Sequence, residues 1–334
     1  MTKLIRIWSR YWLVILSALI TALVCLSILL SYFSRNYAID IIKSHVEKVS
    51  EALQVMGYDI AYDELAFYSM SPWQIMRVKN FKIYSLDESN FWQWNVDELS
   101  VDVGVWDNDK IDIFLGNKQS FQYMSSLWKI AVSDVSCNLN FEKESFKNLH
   151  LNASGVSVKN LLVADSVDIK IKKDDFSYFN SELDAKGITI DDMTGWALNK
   201  KIDHAYVNTL LQLYLGDDVT LSEAIYEWVD RGGKIDIKKL ILNWKPLIVV
   251  ANGDVEFNEK NGPVVSLNTA SLALLETLDR LNENGYISNK GTFVSKILLN
   301  NKAVQQKPSD KYKTIVTPLK ISKDAITLEN IKIR

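Results

Sequence analysis

The chain has 334 residues, 38 Lys+Arg against 41 Asp+Glu, and 48% hydrophobic with 24% charged residues, which excludes a disordered acidic chain and supplies one large or two small cores. Thirteen glycines and five prolines lie below the usual shares of about 7% and 5%, and no GxG sequence occurs, so glycine-rich phosphate loops have no material. Cys25 and Cys137 cannot build a disulfide framework, and His45, His150 and His204 show no HxxxH or HExxH spacing.

The first element is the uncharged run from Tyr11 to Phe33, whose 23 residues rise about 34 Å as a helix, against a hydrocarbon core of about 30 Å. It is therefore read as a transmembrane helix. Trp8, Tyr11 and Trp12 at one end and Tyr32, Phe33 and Tyr37 at the other match the two aromatic belts of a bilayer. Lys3, Arg6 and Arg10 precede the run and Arg35 alone follows closely, so the positive-inside rule places Met1 in the cytoplasm. The expected interface anchors are Arg6, Trp8, Arg10, Trp12, Tyr32 and Arg35. The run is longer than a signal-peptide apolar region and no AxA site follows, which argues for an uncleaved anchor. Without Lys3, Arg6 and Arg10 the remainder has 35 basic and 41 acidic residues, a formal charge of −6 that disfavours nucleic acid and anionic headgroups as partners.

Ile39, Ile42, Val46, Val49, Leu53 and Met56 recur at steps of 3 and 4, predicting an amphipathic juxtamembrane helix that Gly57 ends. The period then becomes two. Leu99–Val105, Val135–Phe141, Leu149–Ala153, Val167–Ile171, Ile235–Ile237 and Ile326–Ile333 alternate apolar with polar residues, so each predicted strand has one apolar and one polar face. Cys137 falls on the apolar side. A capping box at Thr220–Glu223 opens a helix that Gly232 and Gly233 close, and a second helix is predicted over Leu272–Leu281. Phe293–Leu299 fits helix or strand, and Asn300–Lys313 reads as a loop.

Val78–Ile83, Val158–Val163 and Leu328–Ile333 share an Asn between apolar residues, which suggests a bulge reused along a curved sheet. The predicted class is mainly β with α (α+β), with a long curved antiparallel sheet and two or three short helices. The expected division is a cytoplasmic tail 1–10, an anchor 11–33, the juxtamembrane helix 34–57 and a periplasmic β-rich domain 58–334.

Reactive material is confined to acidic pairs, Asp107/Asp109, Asp174/Asp175, Asp191/Asp192 and Asp217/Asp218, each in a stretch that favours turns. No GxSxG, Walker A or CxxC motif is present, so no catalytic, cofactor or metal residue is assigned and no enzyme is expected. Trp73, Trp92, Trp94, Trp106, Trp128, Trp196, Trp228 and Trp244 are dispersed, as core packing requires, rather than gathered into a carbohydrate platform. A long one-sided sheet must have its apolar face covered by a second layer, by its own curvature or by a ligand. An open apolar groove lined by Val101, Val103, Leu139, Ile169 and Ile171, and an ordinary packed sandwich, both fit the pattern.

Two stretches carry a resemblance. Tyr58–Leu65, Val78–Ile83 and Trp94–Val103, following an anchor and a helix, resemble the start of AsmA-like envelope proteins. Glu227–Ile237, with its Gly232-Gly233, then Leu240–Leu247 and Gly253–Phe257 are similar to the alphaproteobacterial family called domain of unknown function 2125. Lys245 departs from that family's Trp-Gly-Pro phrase, and Ser71-Pro72-Trp73 from its Gly-Phe-Pro. The resemblance implies a single-pass inner-membrane protein with its bulk in the periplasm, and AsmA-like relatives imply lipid traffic or outer-membrane assembly. Membrane lipids and an envelope protein are the expected partners. The reading is lipid handling in envelope maintenance, with an anchored scaffold as the alternative and a hydrolase third.

Overall fold

The computed structural model describes residues 47, 50, 51, 53, 54 and 57–334, apart from 71–72, 88–90, 105–109, 143–144, 176, 191–197, 214–220, 259–261, 288, 302, 305–312, 324, 330 and 333–334. The predicted anchor and all six interface residues, from Arg6 to Arg35, lie outside the described residues, as do Asp107/Asp109, Asp191/Asp192, Asp217/Asp218, His45 and Cys25. Among the described residues no helix is long and apolar enough to cross a membrane. Glu47, Ser50, Glu51, Leu53 and Gln54 are helical, and Gly57 takes φ 81° while donating its N–H to the Gln54 carbonyl, as a helix stop does.

From Tyr58 onward the chain is one antiparallel meander. Its strands are β1 (Tyr58–Ala61), β2 (Glu64–Met70), β3 (Trp73–Ser85), β4 (Trp92–Gly104), β5 (Lys110–Leu115), β6 (Lys118–Tyr123), β7 (Ser126–Ala131), β8 (Asp134–Glu142), β9 (Ser145–Val158) and β10 (Leu162–Asp175). They continue as β11 (Tyr178–Ile190), β12 (Lys201–Gln212), β13 (Lys234–Trp244), β14 (Leu247–Asn258), β15 (Gly262–Leu272), β16 (Ala303–Val304), β17 (Thr314–Ser322), β18 (Ala325–Leu328) and β19 (Ile331–Lys332). All belong to one sheet. Three helices interrupt it: α1 (Leu221–Asp230), α2 (Leu274–Glu283) and α3 (Asn289–Asn300).

A crease crosses this sheet. At one level every strand from the β1–β2 junction to β12 kinks, and the kinked residues stand next to one another: Asp63, Asn80, Asp97, Gly116, Ser133, Gly155, Asp165, Gly187 and Asp203. Asn80, Gly155 and Gly187 have φ of 51°, 57° and 61°, in the left-handed region. Beside them stand small polar residues. Asn80 donates to Asp63 at 2.7 Å, and a Cβ on Gly155 or Gly187 would sit 2.3 Å from Ser133 Oγ or 1.8 Å from Asp165 Oδ2. Each kink advances side-chain parity by one residue, so the apolar face stays on one side: Met76 and Val78 are followed by Phe81 and Ile83, and Leu151 and Ala153 by Val156 and Val158.

The device repeats. Asp63, Asp97, Ser133 and Asp165 are separated by 34, 36 and 32 residues, and Asn80, Gly116, Gly155 and Gly187 by 36, 39 and 32. Each unit is a hairpin with Asp or Ser on its first strand and Asn or Gly on its second. Of the three Asn phrases identified in the sequence, only the first is this device. Asn80 is a kink within β3, whereas Asn160 (φ 61°) lies in the β9–β10 turn and Glu329 (φ 53°) in the β18–β19 turn.

The helices close the C-terminal part. Leu278 on α2 and Leu299 on α3 are 1% and 0% exposed and pack with Leu274, Ile315 and Leu328. Two predicted boundaries shift. Leu272 ends β15, and a left-handed Ala273 turns the chain so that α2 begins at Leu274; the expected loop from Asn300 holds β16. Phe293–Leu299 proves helical, with Thr292, Ser295 and Leu299 inward and Phe293, Val294, Ile297 and Leu298 outward. Trp228 of α1 meets Phe257 at 5.1 Å and covers Gly233, where a Cβ would lie 2.4 Å from the indole.

Candidate functional site

Pairing fixes which side chains share the apolar face. One row runs Met76, Val101, Ile113, Cys137, Leu151, Ile169, Leu183, Val207, Leu240, Ala251 across ten strands from β3 to β14. Nine strand spacings of about 4.8 Å give a track of about 43 Å measured along the sheet. Beside it run Ile111, Leu139, Leu149 and Ile171, and on the crease side Val135, Ala153, Val167, Ala185, Ala205, Leu242 and Val249.

The five predicted groove positions thus belong to two adjacent rows. Val101 and Ile169 lie in the first, and Leu139 and Ile171 in the second. Val103 pairs with Ile111 and joins the second row by register, while its side chain is outside the described part.

As far as β12 burial falls away from the crease, and beyond it Ile237, Ala251 and Leu267 form a buried cluster against which Val207 and Leu240 pack. Val78, Val96, Val132, Val135, Ala153, Ala164 and Ala185 are buried, whereas Leu139, Leu149, Ile169, Ile171, Leu183 and Val207 are half-buried. Two clusters explain the gradient. Val132, Val135 and Ala153 pack with Leu115 and Leu151 on one side of the crease and with Ile130 and Val156 on the other, and Met76 and Val78 pack with both Leu99 and Phe81. The sheet is bent toward its apolar face, forming a trough whose floor is sealed by small side chains and whose wall stays half exposed. In β12 no residue at all is fully buried. Near the N-terminal end the trough carries an aromatic run, Tyr58, Trp92, Phe121 and Trp128, with ring centroids 5.3, 6.2 and 5.8 Å apart. Burial of Cys137 raises its thiol pKa and leaves it a small apolar member of the row.

The opposite face is polar. His150 Nε2 lies 2.6 Å from Asp168 Oδ2, His204 Nε2 lies 2.9 Å from Asp184 Oδ1, and Asn208 donates to Glu182 at 2.9 Å. Burial pushes the Asp168 carboxyl up, but hydrogen bonds from His150, Asn152 and Lys170 outweigh it and hold the group below its ordinary range. Among the described residues no hydroxyl or thiol hydrogen-bonds to either imidazole, and no three metal-ligating side chains gather. Of the acidic pairs, Asp174 is bound to Lys172 at 2.7 Å near the end of β10, beside the turn into β11.

A long, creased, single-sheet protein with an apolar trough on one face and a charge ladder on the other is the class that this architecture defines. A family model described as an uncharacterized protein conserved in bacteria (DUF2125) matches residues 37–333, and the chain belongs to that family. None of the curated proteins matches it.

Proposed function

We propose that this protein is a non-catalytic lipid-handling component of the bacterial envelope, held in the inner membrane by the run from Tyr11 to Phe33, with residues 58–334 in the periplasm. The observation that carries the reading is the apolar row from Met76 to Ala251, whose middle members stay half exposed. Leaving Val101, Ile113, Leu151, Ile169, Leu183, Val207 and Leu240 partly in water costs free energy that an acyl chain laid along the trough would recover, at about 25 cal/mol per Å² covered. The N-terminal stretches that resemble AsmA-like envelope proteins point the same way. The alternative, an anchored scaffold, draws support from the outward apolar residues of α3, Phe293 at 67% and Ile297 at 50% exposure.

The test is a photo-crosslinking residue placed at Leu139 or Ile171 of the full chain in native membranes, with the polar-face position Lys170 as control. Lipid adducts are expected at positions 139 and 171 and not at 170. Equal adduct yields at all three positions, or none, would sink the lipid reading in favour of the scaffold.

A further inference from the structure

Among the described residues several lysines are neutralised where they stand: Lys79 by Glu64, Lys147 by Glu142, Lys170 by Asp168, Lys172 by Asp174, Lys234 by Asp254 and Lys245 by Asp203, all within 3.1 Å. Other lysines have no such partner, and four of these are gathered in one place. On the polar face, just across the crease from the long arm of the trough, a concave cleft of about 670 Å³ is lined by Lys82, Lys118, Lys129 and Lys159, none of which has a carboxylate of a described residue within salt-bridge distance.

Four different segments deliver these ammonium groups. Lys82 is on β3, Lys118 on β6, Lys129 on β7 and Lys159 in the β9–β10 turn. Register puts three of them on one face, because Lys82 stands opposite Asn95, Asn95 opposite Ser120 and Ser120 opposite Lys129, while Lys118 is two residues from Ser120 on the same strand. Lys159 is fixed beside Lys129 by its N–H bond to the Lys129 carbonyl, 3.0 Å. The two carboxylates in the lining are engaged by the crease: Asp63 accepts from Asn80, and Asp97 accepts the Glu98 N–H at 2.9 Å. The lining therefore carries four positive and two negative charges in a chain whose net charge is −3. A second cleft on the same face, about 490 Å³, has its Lys234 paired with Asp254 at 3.0 Å, and its Lys234 and Lys320 stand against Asp236, Asp254 and Glu329, so it has no positive excess.

Four unpaired lysines against two carboxylates give the cleft a positive excess that an anion would neutralise. We infer that this cleft is a binding site for a phosphate-bearing ligand, separate from the apolar trough. Flexible ammonium groups with three donors each suit the several oxygens of a phosphate monoester or diphosphate better than a single carboxylate. The phosphate can belong to a lipid headgroup or to a soluble phosphate ester, and both present the same chemistry to the lysines.

The experiment uses the full chain in neutral detergent, titrated calorimetrically with pyrophosphate and, separately, with the short-chain lipids dihexanoyl phosphatidic acid and dihexanoyl phosphatidylcholine. The variant is Lys82→Gln, Lys118→Gln, Lys129→Gln and Lys159→Gln combined, against a charge-matched control of Lys173→Gln, Lys200→Gln, Lys313→Gln and Lys323→Gln. A site for phosphate itself predicts pyrophosphate binding that falls at least tenfold in the cleft variant and less than twofold in the control. A headgroup site predicts the same losses in the titration with dihexanoyl phosphatidic acid, without binding of pyrophosphate or of dihexanoyl phosphatidylcholine. Absence of both signals in the parent chain, or equal loss in variant and control, would overturn the assignment. Lipid adducts at Leu139 are independent of this outcome, so the trough and the cleft stand or fall separately.

Discussion

Ile169→Asp separates an open trough from a dry core when it is measured beside Leu278→Asp. Ile169 stands between Leu151 and Leu183 in the central row and is half-buried, while Leu278 is 1% exposed in the cluster under α2 and α3. Full burial of such a side chain is worth about 1.5–3 kcal/mol, so the partly exposed Ile169 forfeits most of that, and Asp in place of Ile in a strand adds up to about 1 kcal/mol. At an open wall the new carboxylate keeps its water, and the total stays near 2 kcal/mol. At Leu278 the whole transfer term is lost and an unpaired charge enters a dry cluster, a cost of several more kcal/mol that approaches the full stability of a domain, about 5–15 kcal/mol. The assay is urea unfolding of the full chain in detergent, followed by circular dichroism in the strand region and by protease resistance. Ile169→Asp should shift the midpoint and fold, and Leu278→Asp should fail to fold. Equal failure of both would show that the apolar rows are sealed, and the trough would be withdrawn.

Asp102 faces Asp112 across β4 and β5, its Oδ1 is buried without a hydrogen bond, and burial first, then the Asp112 charge, raise its pKa. A folded-state pKa above the ordinary 3.8 means that ionised Asp102 destabilises the fold at neutral pH and ceases to do so below that value, so Asp102→Asn should gain up to about 1 kcal/mol at pH 7 and nothing near pH 3 in urea titrations. Asp168 has the opposite sign: its lowered pKa supplies stability that is present above 3.8 and disappears as pH falls through the folded value, so Asp168→Asn should weaken the protein at pH 7 and be neutral at acid pH. Gly187→Ala should cost about 1–2 kcal/mol for its left-handed backbone plus the displacement of Asp165, and Gly262→Ala, with φ 66° and open space around it, the backbone part alone. Excising Ser133–Ala164 joins Val132 to Asp165 at equivalent points of two units, so the shortened chain should still give strand-type circular dichroism; an unfolded product would refute the repeat.

Alternation in the sequence located half of most strands, and the crease explains which half. The readings over Leu99–Val105, Val135–Phe141 and Val167–Ile171 all begin two residues after Asp97, Ser133 and Asp165, and that over Leu149–Ala153 stops two residues before Gly155. The kink at each of these residues advances parity by one, so a period-two pattern breaks there although the strand or its paired continuation runs on. β11 and β12 were not legible because Ser181 and Thr209 dilute the apolar face, and Tyr206 and Leu210 the polar one. α3 stayed ambiguous for another reason: its outward side is as apolar as its inward side, which removes the 3.6-residue contrast. The trough residues were legible as a set because each stood in an unkinked half-strand. The lysine cleft was not, since its four members span positions 82 to 159 and only the hairpin pairing brings them together. Lys82 and Lys118 do share one signal, each lying two residues beyond the kinked Asn80 and Gly116.

The crease also accounts for how a chain poor in glycine and proline builds so long a surface. A flat sheet with one apolar face needs a second layer, and each added strand enlarges the area to be covered. A sheet bent along a line perpendicular to its strands covers its own floor, and each added hairpin brings the small residues that seal its share: Val96, Val132 and Ala164, directly before Asp97, Ser133 and Asp165, are all buried. Stability then grows with the number of hairpins, as in repeat proteins whose units contact only their neighbours. The wall beyond the floor grows at the same rate, and among the described residues no helix lies across it until β14–β18, where α2 and α3 cover the face and pack Leu278 and Leu299 beyond the buried Ile237, Ala251 and Leu267. Length of trough is thereby set by hairpin count and its end by the helices, two features that can change independently of each other.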